Sequence, residues 1–210
     1  MTFRSTVGML ALWMNFGVSE VAMADTYKSH ETPRYAVERS DGAIEIRRYD
    51  ARIMAEVSVE GSQRQAVSAG FRVLAGYIFG ANAGAAKLAM TTPVAQVPGD
   101  SSSMTTPVVQ RAQDGLWLVQ FMMPEGYSLA TLPQPRDDHI RFVTLPANRQ
   151  AVMRFSGVAG TATLKFKEGE LRSWIRGQAM AATAGPFYYF YDAPWTLPWK
   201  RRNEVAFALQ

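Results

Sequence analysis

The feature that most constrains this chain is a correspondence between two of its own segments. Residues 44–61 read IEIRRYDARIMAEVSVEG, and residues 140–157 read IRFVTLPANRQAVMRFSG. At a constant offset of 96, Ile44 matches Ile140, Ala51 matches Ala147, Ala55 matches Ala151 and Gly61 matches Gly157. Each segment holds two short strand-like runs around a turn, at Asp50-Ala51-Arg52 and at Pro146-Ala147-Asn148. A helical stretch follows each one. At an offset of 97, Leu74 pairs with Leu171, Tyr77 with Trp174, Ile78 with Ile175 and Gly80 with Gly177. Turn, helix and terminal glycine in the same order predict a duplicated unit, with halves at about 35–123 and 139–210.

The remainder of each half reads as strands. Leu88–Val97 and Met104–Gln110 flank a Pro-Gly-Asp-Ser turn, and Leu116–Met123 is a third run. Phe187–Tyr191 and Glu204–Leu209 serve the second half. The Gly-rich 80–84, Pro-rich 133–135 and Ala/Thr/Gly 181–185 segments read as loops. Two such halves predict an α+β fold: a distorted β-barrel with two flanking helices, built from pseudo-symmetric strand-helix-strand-strand halves. With 210 residues and no long linker, residues 25–210 form one domain. Several chemistries are excluded outright. Cysteine is absent, which removes disulfides, thiolate metal sites and a cysteine nucleophile. Two histidines, His30 and His139, cannot supply a three-histidine centre. The net charge is +4, and no basic block exceeds Lys200-Arg201-Arg202, so the pattern argues against nucleic-acid binding.

The first 24 residues stand apart from this pattern. Arg4 precedes an apolar run from Val7 to Val18, and Ala22-Met23-Ala24 gives the small-x-small signature of a signal-peptidase site. The run is shorter than the roughly 20 apolar residues a bilayer crossing needs. The expectation is a signal peptide over 1–24, a mature chain starting at Asp25 without a transmembrane segment, and a periplasmic or secreted location.

The first helix carries the candidate site. At about 100° per residue, Val67, Phe71, Leu74 and Ile78 share one face, predicted to meet the sheet. Ser68, Arg72, Ala75 and Phe79 form its flank. That flank reads either as a wide core face or as one wall of a ligand cleft, with Ser68 and Ala75 leaving room and Arg72 at the rim.

Between 87 and 108 the chain reads KLAMTTPVAQVPGDSSSMTTPV, with MTTPV at 90–94 and again at 104–108. WLVQFMMPEGYSLATLPQP (117–135), AVMRFSG (151–157) and YDAPWTLPWKRRNEVAFAL (191–209) follow. This ordered set resembles the SOUL/haem-binding protein family over essentially the whole mature chain. The resemblance implies a distorted barrel of pseudo-twofold symmetry. It also implies reversible binding of haem or another tetrapyrrole in a surface cleft beside the first helix, as carrier, buffer or sensor. The residues it points to are Ser68, Phe71, Arg72, Ala75, Phe79, Met90, Trp195, Trp199 and Lys200.

Several of these have a second reading. Met90 and Met104 are equally suited to filling core gaps, and Pro93 and Pro107 mark strand edges or ends. Trp195 and Trp199 either cover apolar surface or stack on a macrocycle. Arg201-Arg202-Asn203-Glu204 reads as the device that fixes the turn into the last strand, leaving Lys200 to meet a propionate. Both histidines lie outside the implied cleft, in TYKSHETPR and in Arg136-Asp-Asp-His, so the expected mode is apolar enclosure and propionate pairing without an axial ligand. No catalytic motif is present: there is no GxSxG elbow. Two alternatives remain, a tetrapyrrole-modifying enzyme such as a metal-removing one, for which Glu56, Glu60 and Asp100 are available, and a general binder of hydrophobic small molecules.

Overall fold

The computed structural model describes residues 26–99 and 115–210. The amino-terminal segment, Asp100, Met104 and Pro107 lie outside them. In chain order the strands are β1 (Thr26–Tyr27), β2 (His30–Glu31), β3 (Tyr35–Asp41), β4 (Ile44–Tyr49) and β5 (Arg52–Glu60), followed by helix α1 (Gln63–Ile78). Then come β6 (Val94–Pro98), β7 (Leu116–Met122), β8 (Arg141–Leu145), β9 (Asn148–Phe155), helix α2 (Thr161–Gly177), β10 (Ala182–Phe190) and β11 (Asn203–Leu209). From β4 onward the first half runs strand-strand-helix-strand-strand, as does the second from β8, and β3 precedes the first as an additional strand. No described helix is long and apolar enough to cross a membrane.

Nine strands form one antiparallel sheet in the order β3-β4-β9-β11-β10-β6-β7-β5-β8. The fold is α+β with a large antiparallel sheet. Its end strands, β3 and β8, do not pair with each other, so hydrogen bonds do not close it into a barrel. The two internal turns act differently from hairpins. β4 lies second from one end of the sheet and β5 second from the other, yet only Asp50 and Ala51 separate them. Pro146 and Ala147 likewise carry the chain from the end strand β8 into β9. Two residues reach no more than about 10 Å between strand ends, so the sheet must curl until its two ends approach. β4 and β5 behave as one long strand that changes partners at its bend, as do β8 and β9.

Both helices cover the same face. Val57, Val119 and Phe121 meet Leu74, Tyr77 and Ile78 of α1 in one cluster. Met153, Val205 and Phe207 meet Leu164, Leu171 and Ile175 of α2 in a second. Trp117 and Tyr188 stand at the seam, ring centroids 6.4 Å apart. The opposite face carries Tyr49, Ala95, Val152, Tyr189, Tyr191 and Ala206. No described helix packs on that face, yet these residues are buried, because the curled sheet covers them itself.

The face that α1 buries is rotated from the sequence expectation. Gln63, Ala66, Gly70, Leu74 and Tyr77 form the inner line, while Val67 and Phe71 are half-buried at its edge. The reason is close approach. A Cβ on Gly70 would lie 2.5 Å from the Val119 Cβ, so the helix rests on the strand through its smallest residues. Hydropathy periodicity gives such residues little weight. At the start of α1, Gln65 Oε1 accepts from the Ser62 N–H at 3.2 Å, one arm of a capping box.

Two strand expectations shift as well. Leu88–Thr92 is not strand: β6 starts only after Pro93, which cannot donate to a ladder, and Thr91 Oγ1 instead donates to the Met122 carbonyl. Residues 182–185, expected as loop, belong to β10. Register shifts there absorb Gly185, whose φ of +112° and close approach to the Ala206 carbonyl exclude a side chain.

Candidate functional site

Hydrogen bonds link some of the segments that carry the expected site residues. The Leu88 N–H donates to the Ile78 carbonyl at 2.8 Å, tying the end of α1 to the segment that carries Met90. Two residues on, Thr92 Oγ1 donates to the Tyr191 carbonyl at 3.2 Å. Val94 pairs with Phe190 at the same level. The last turns of α1, the Met90–Pro93 segment and the foot of the loop 191–202 are therefore neighbours.

Within that region the residues divide by burial. Phe71 and Met90 are half-buried and pack on the α1 core. Ala75 is only 8% exposed and belongs to that core, so it is no open wall. Ser68 and Arg72 are exposed, and Arg72 Nε donates to the Ser68 carbonyl at 3.3 Å. Phe79 is 62% exposed, Trp199 69% and Trp195 84%. Lys200 is exposed, and its ammonium has no partner among the described residues.

The RRNE segment performs the structural role expected of it. Arg201 Nε donates to the Thr196 carbonyl at 2.7 Å, Arg202 pairs with Glu204 at 2.7 Å, and Asn203 Nδ2 donates to the Gly157 carbonyl at 3.1 Å. Asp192 accepts from the Arg202 N–H at 2.7 Å, from the Tyr27 hydroxyl and from Lys28. Burial alone would raise the Asp192 carboxyl, but these donors outweigh it and hold it below the ordinary range.

Of the carboxylates considered for catalysis, Glu56 and Glu60 lie among the described residues. Glu56, on the helix-free face, accepts from Gln120 at 2.8 Å and pairs with Arg141 at 3.1 Å. Glu60 is exposed at the end of β5. His30 is exposed on β2. His139 is exposed beside Asp137 at 2.9 Å, a contact that raises the imidazole above its usual value. Neither histidine lies on α1 or in the loop 191–202, but β2, which carries His30, borders the Met90–Pro93 segment: the Thr92 N–H donates to the Glu31 carbonyl at 2.9 Å.

A second feature was not foreseen. A groove of about 470 Å³ opens where β4 passes into β5, lined by Thr32, Arg34, Arg52, Met122, Glu125 and Tyr127 among others. Arg34 and Glu125 pair across its rim, and the Arg52 guanidinium lies 5.0 Å from the Tyr49 ring centroid. None of the expected site residues lines it. Its walls come from segments far apart in sequence that meet only because the sheet curls.

A model of the family described as "SOUL heme-binding protein" matches residues 30–208. The chain belongs to the SOUL haem-binding protein family. No curated protein matches this SOUL-family chain. Among solved structures, it is similar to the C-terminal domain of EcmrR at TM-score 0.57 and 12% identity, covering 80% of this chain and 96% of that one. EcmrR in its DNA complex gives TM-score 0.58 and 12% identity over 80% of this chain and 57% of that one. A structure described as a hydrolase from Listeria innocua gives 0.54 and 11% over 82% and 94%. At such identities the likeness concerns the fold. Exposed flat rings at 79, 195 and 199, with a free ammonium at 200, suit the family's ligand, a planar apolar macrocycle bearing carboxylates.

Proposed function

We propose that this chain reversibly binds haem or another tetrapyrrole as a carrier, buffer or sensor, on a curled scaffold duplicated from one β-β-α-β-β unit. The family match over residues 30–208 carries this reading. The ligand lies against the outer flank of α1, with Ser68 leaving room, Phe79 against the ring, and Phe71, Ala75 and Met90 as the packed floor beneath. Trp195 and Trp199 border the macrocycle, and Arg72 and Lys200 meet its propionates. The iron receives no protein ligand, a reading supported by the absence of histidine from α1 and from the loop 191–202. The protein acts outside the cytoplasm after removal of residues 1–24.

Titration with haemin and with metal-free protoporphyrin tests the reading. Without an axial bond the two should bind within several-fold of each other. Binding of neither overturns the proposal, and haemin binding alone overturns the unligated iron. Incubation with a metalloporphyrin checks for released metal; stoichiometric binding without turnover is the expected result.

A further inference from the structure

We propose that the loop from Ala193 to Lys200, while no tetrapyrrole engages it, seats the protein on an anionic lipid surface. The loop reads APWTLPWK, two tryptophans, two prolines, a leucine and a cation with no acid. Its conformation is fixed from within. Arg201 turns inward and donates to the Thr196 and Pro194 carbonyls. The Thr196 N–H donates to the Ala193 carbonyl and the Lys200 N–H to the Leu197 carbonyl, each at 2.9 Å. The Gly157 N–H donates to the Pro198 carbonyl at 2.9 Å, which pins the loop to the link between β9 and α2. While these backbone groups are bonded within the protein, the side chains of Trp195, Leu197 and Trp199 stand out in water. Val158, beside the pinned Gly157, is exposed with them. A rigid tip that presents four apolar side chains marks an interaction surface rather than an isolated exposed residue.

Charge and chemistry choose the occupant. Indoles combine an apolar ring with one N–H donor and favour the headgroup level of a bilayer. The neighbouring acids are already compensated: Asp192 by Lys28, and Glu204 by Arg47 and Arg202. Nothing in the loop therefore repels anionic headgroups, while Lys200 and the net charge of +4 attract them. Two copies apposed through this loop about a twofold axis would set Lys200 near its own equivalent, with no acid in the loop to receive it.

The absence of cysteine makes the test site-specific. Leu197→Cys in the full chain, free of tetrapyrrole, carries an environment-sensitive fluorophore. Ala181→Cys, at the far end of β10, is the control. Vesicles of phosphatidylcholine with about a third phosphatidylglycerol should shift the label at 197 to the blue and allow brominated lipid to quench it. The label at 181 should not respond. Trp195→Ser with Trp199→Ser should weaken the response at 197 at least about tenfold while melting as the parent does. Lys200→Glu should weaken it less.

A water-like label at 197 on vesicle-bound protein overturns the proposal, as does an undiminished response in the tryptophan variant. A blue shift that grows with protein concentration without vesicles would assign the surface to a second copy instead. Haemin titration without vesicles tests the ligand reading separately, so either can fail alone.

Discussion

Arg47 of β4 and Glu204 of β11 meet across the intervening strand β9, with Nη1 3.0 Å and Nη2 3.2 Å from the two carboxylate oxygens. Both are almost wholly buried, 157 residues apart in sequence. Glu204 also accepts from the Tyr191 hydroxyl at 3.0 Å and from Arg202. Arg47 reaches Glu45 at 2.6 Å and lies 4.5 Å from the Tyr35 ring centroid. Burial by itself would lower the guanidinium, but Tyr49 and Glu204 raise it further, so it remains a cation. The single carboxylate therefore holds two guanidinium groups on the helix-free face.

Glu204→Gln should be among the most damaging polar substitutions, costing about 3–5 kcal/mol because it takes the carboxylate from Arg202 and leaves the buried Arg47 with Glu45 alone. Urea unfolding measures it. Arg47→Met combined with Glu204→Gln should cost less than the sum of the two single changes, since the partners share one interaction. Additive costs would refute the coupling.

Gly70→Ala should destabilise the protein by about 1–3 kcal/mol, although alanine is the better helix former. The added methyl would stand 2.5 Å from the Val119 Cβ. Val119→Ala makes space for it, so the double variant should recover part of the loss. Thermal melts of the four proteins check this.

The fold should weaken in alkali. Burial lifts the Tyr77 hydroxyl to about 12, and lifts Tyr49, Tyr188, Tyr189 and Tyr191 as well. A phenol is neutral when protonated, so below about pH 10 both folded and unfolded states keep the proton and no stability is lost. Above that, the unfolded chain ionises first and stability falls until the folded hydroxyls follow. Unfolding free energies should drop progressively between about pH 10 and 12, with phenolate absorbance of these tyrosines appearing only on unfolding. A flat profile there would contradict their burial.

In the haem titration, His30→Ala with His139→Ala should leave the Soret band and affinity nearly unchanged. Arg72→Ala and Lys200→Ala should each weaken binding only a few-fold, as exposed pairs contribute about 0–1 kcal/mol. Ala75→Trp, in contrast, should lower the melting temperature, because Ala75 is part of the α1 core. Loss of the Soret band in the histidine variant would place an iron ligand where none is expected.

Much of this was legible in the residues. The helices, the runs at β7 and β11 and the ties made by Arg201 and Arg202 are encoded by neighbours close in sequence, whereas Asn203 reaches back to Gly157. The turn residues at 50–52 and 146–148 were seen, but their use was not. A hairpin and a bend between sheet ends both need a short link, and the difference lies in which distant strand offers its N–H and C=O groups. The inner face of α1 was obscured because Gly70 and Ala66 have little hydropathy, although their smallness is what admits Val119. The groove beside Arg52 had no local signal, since Arg34, Arg52 and Glu125 converge only on the curled sheet.

By itself the sequence determined the local order: alternation for strands, periodicity for two helices, and the motif set of the SOUL family. These depend on a residue and its near neighbours. Tertiary structure alone decided that β4 joins β9 while β5 joins β7 and β8, and that Arg47 reaches Glu204. It also decided that Ala75 packs into the α1 core. Such outcomes follow from the total burial and pairing of the whole sheet, a sum over contacts that no segment contains.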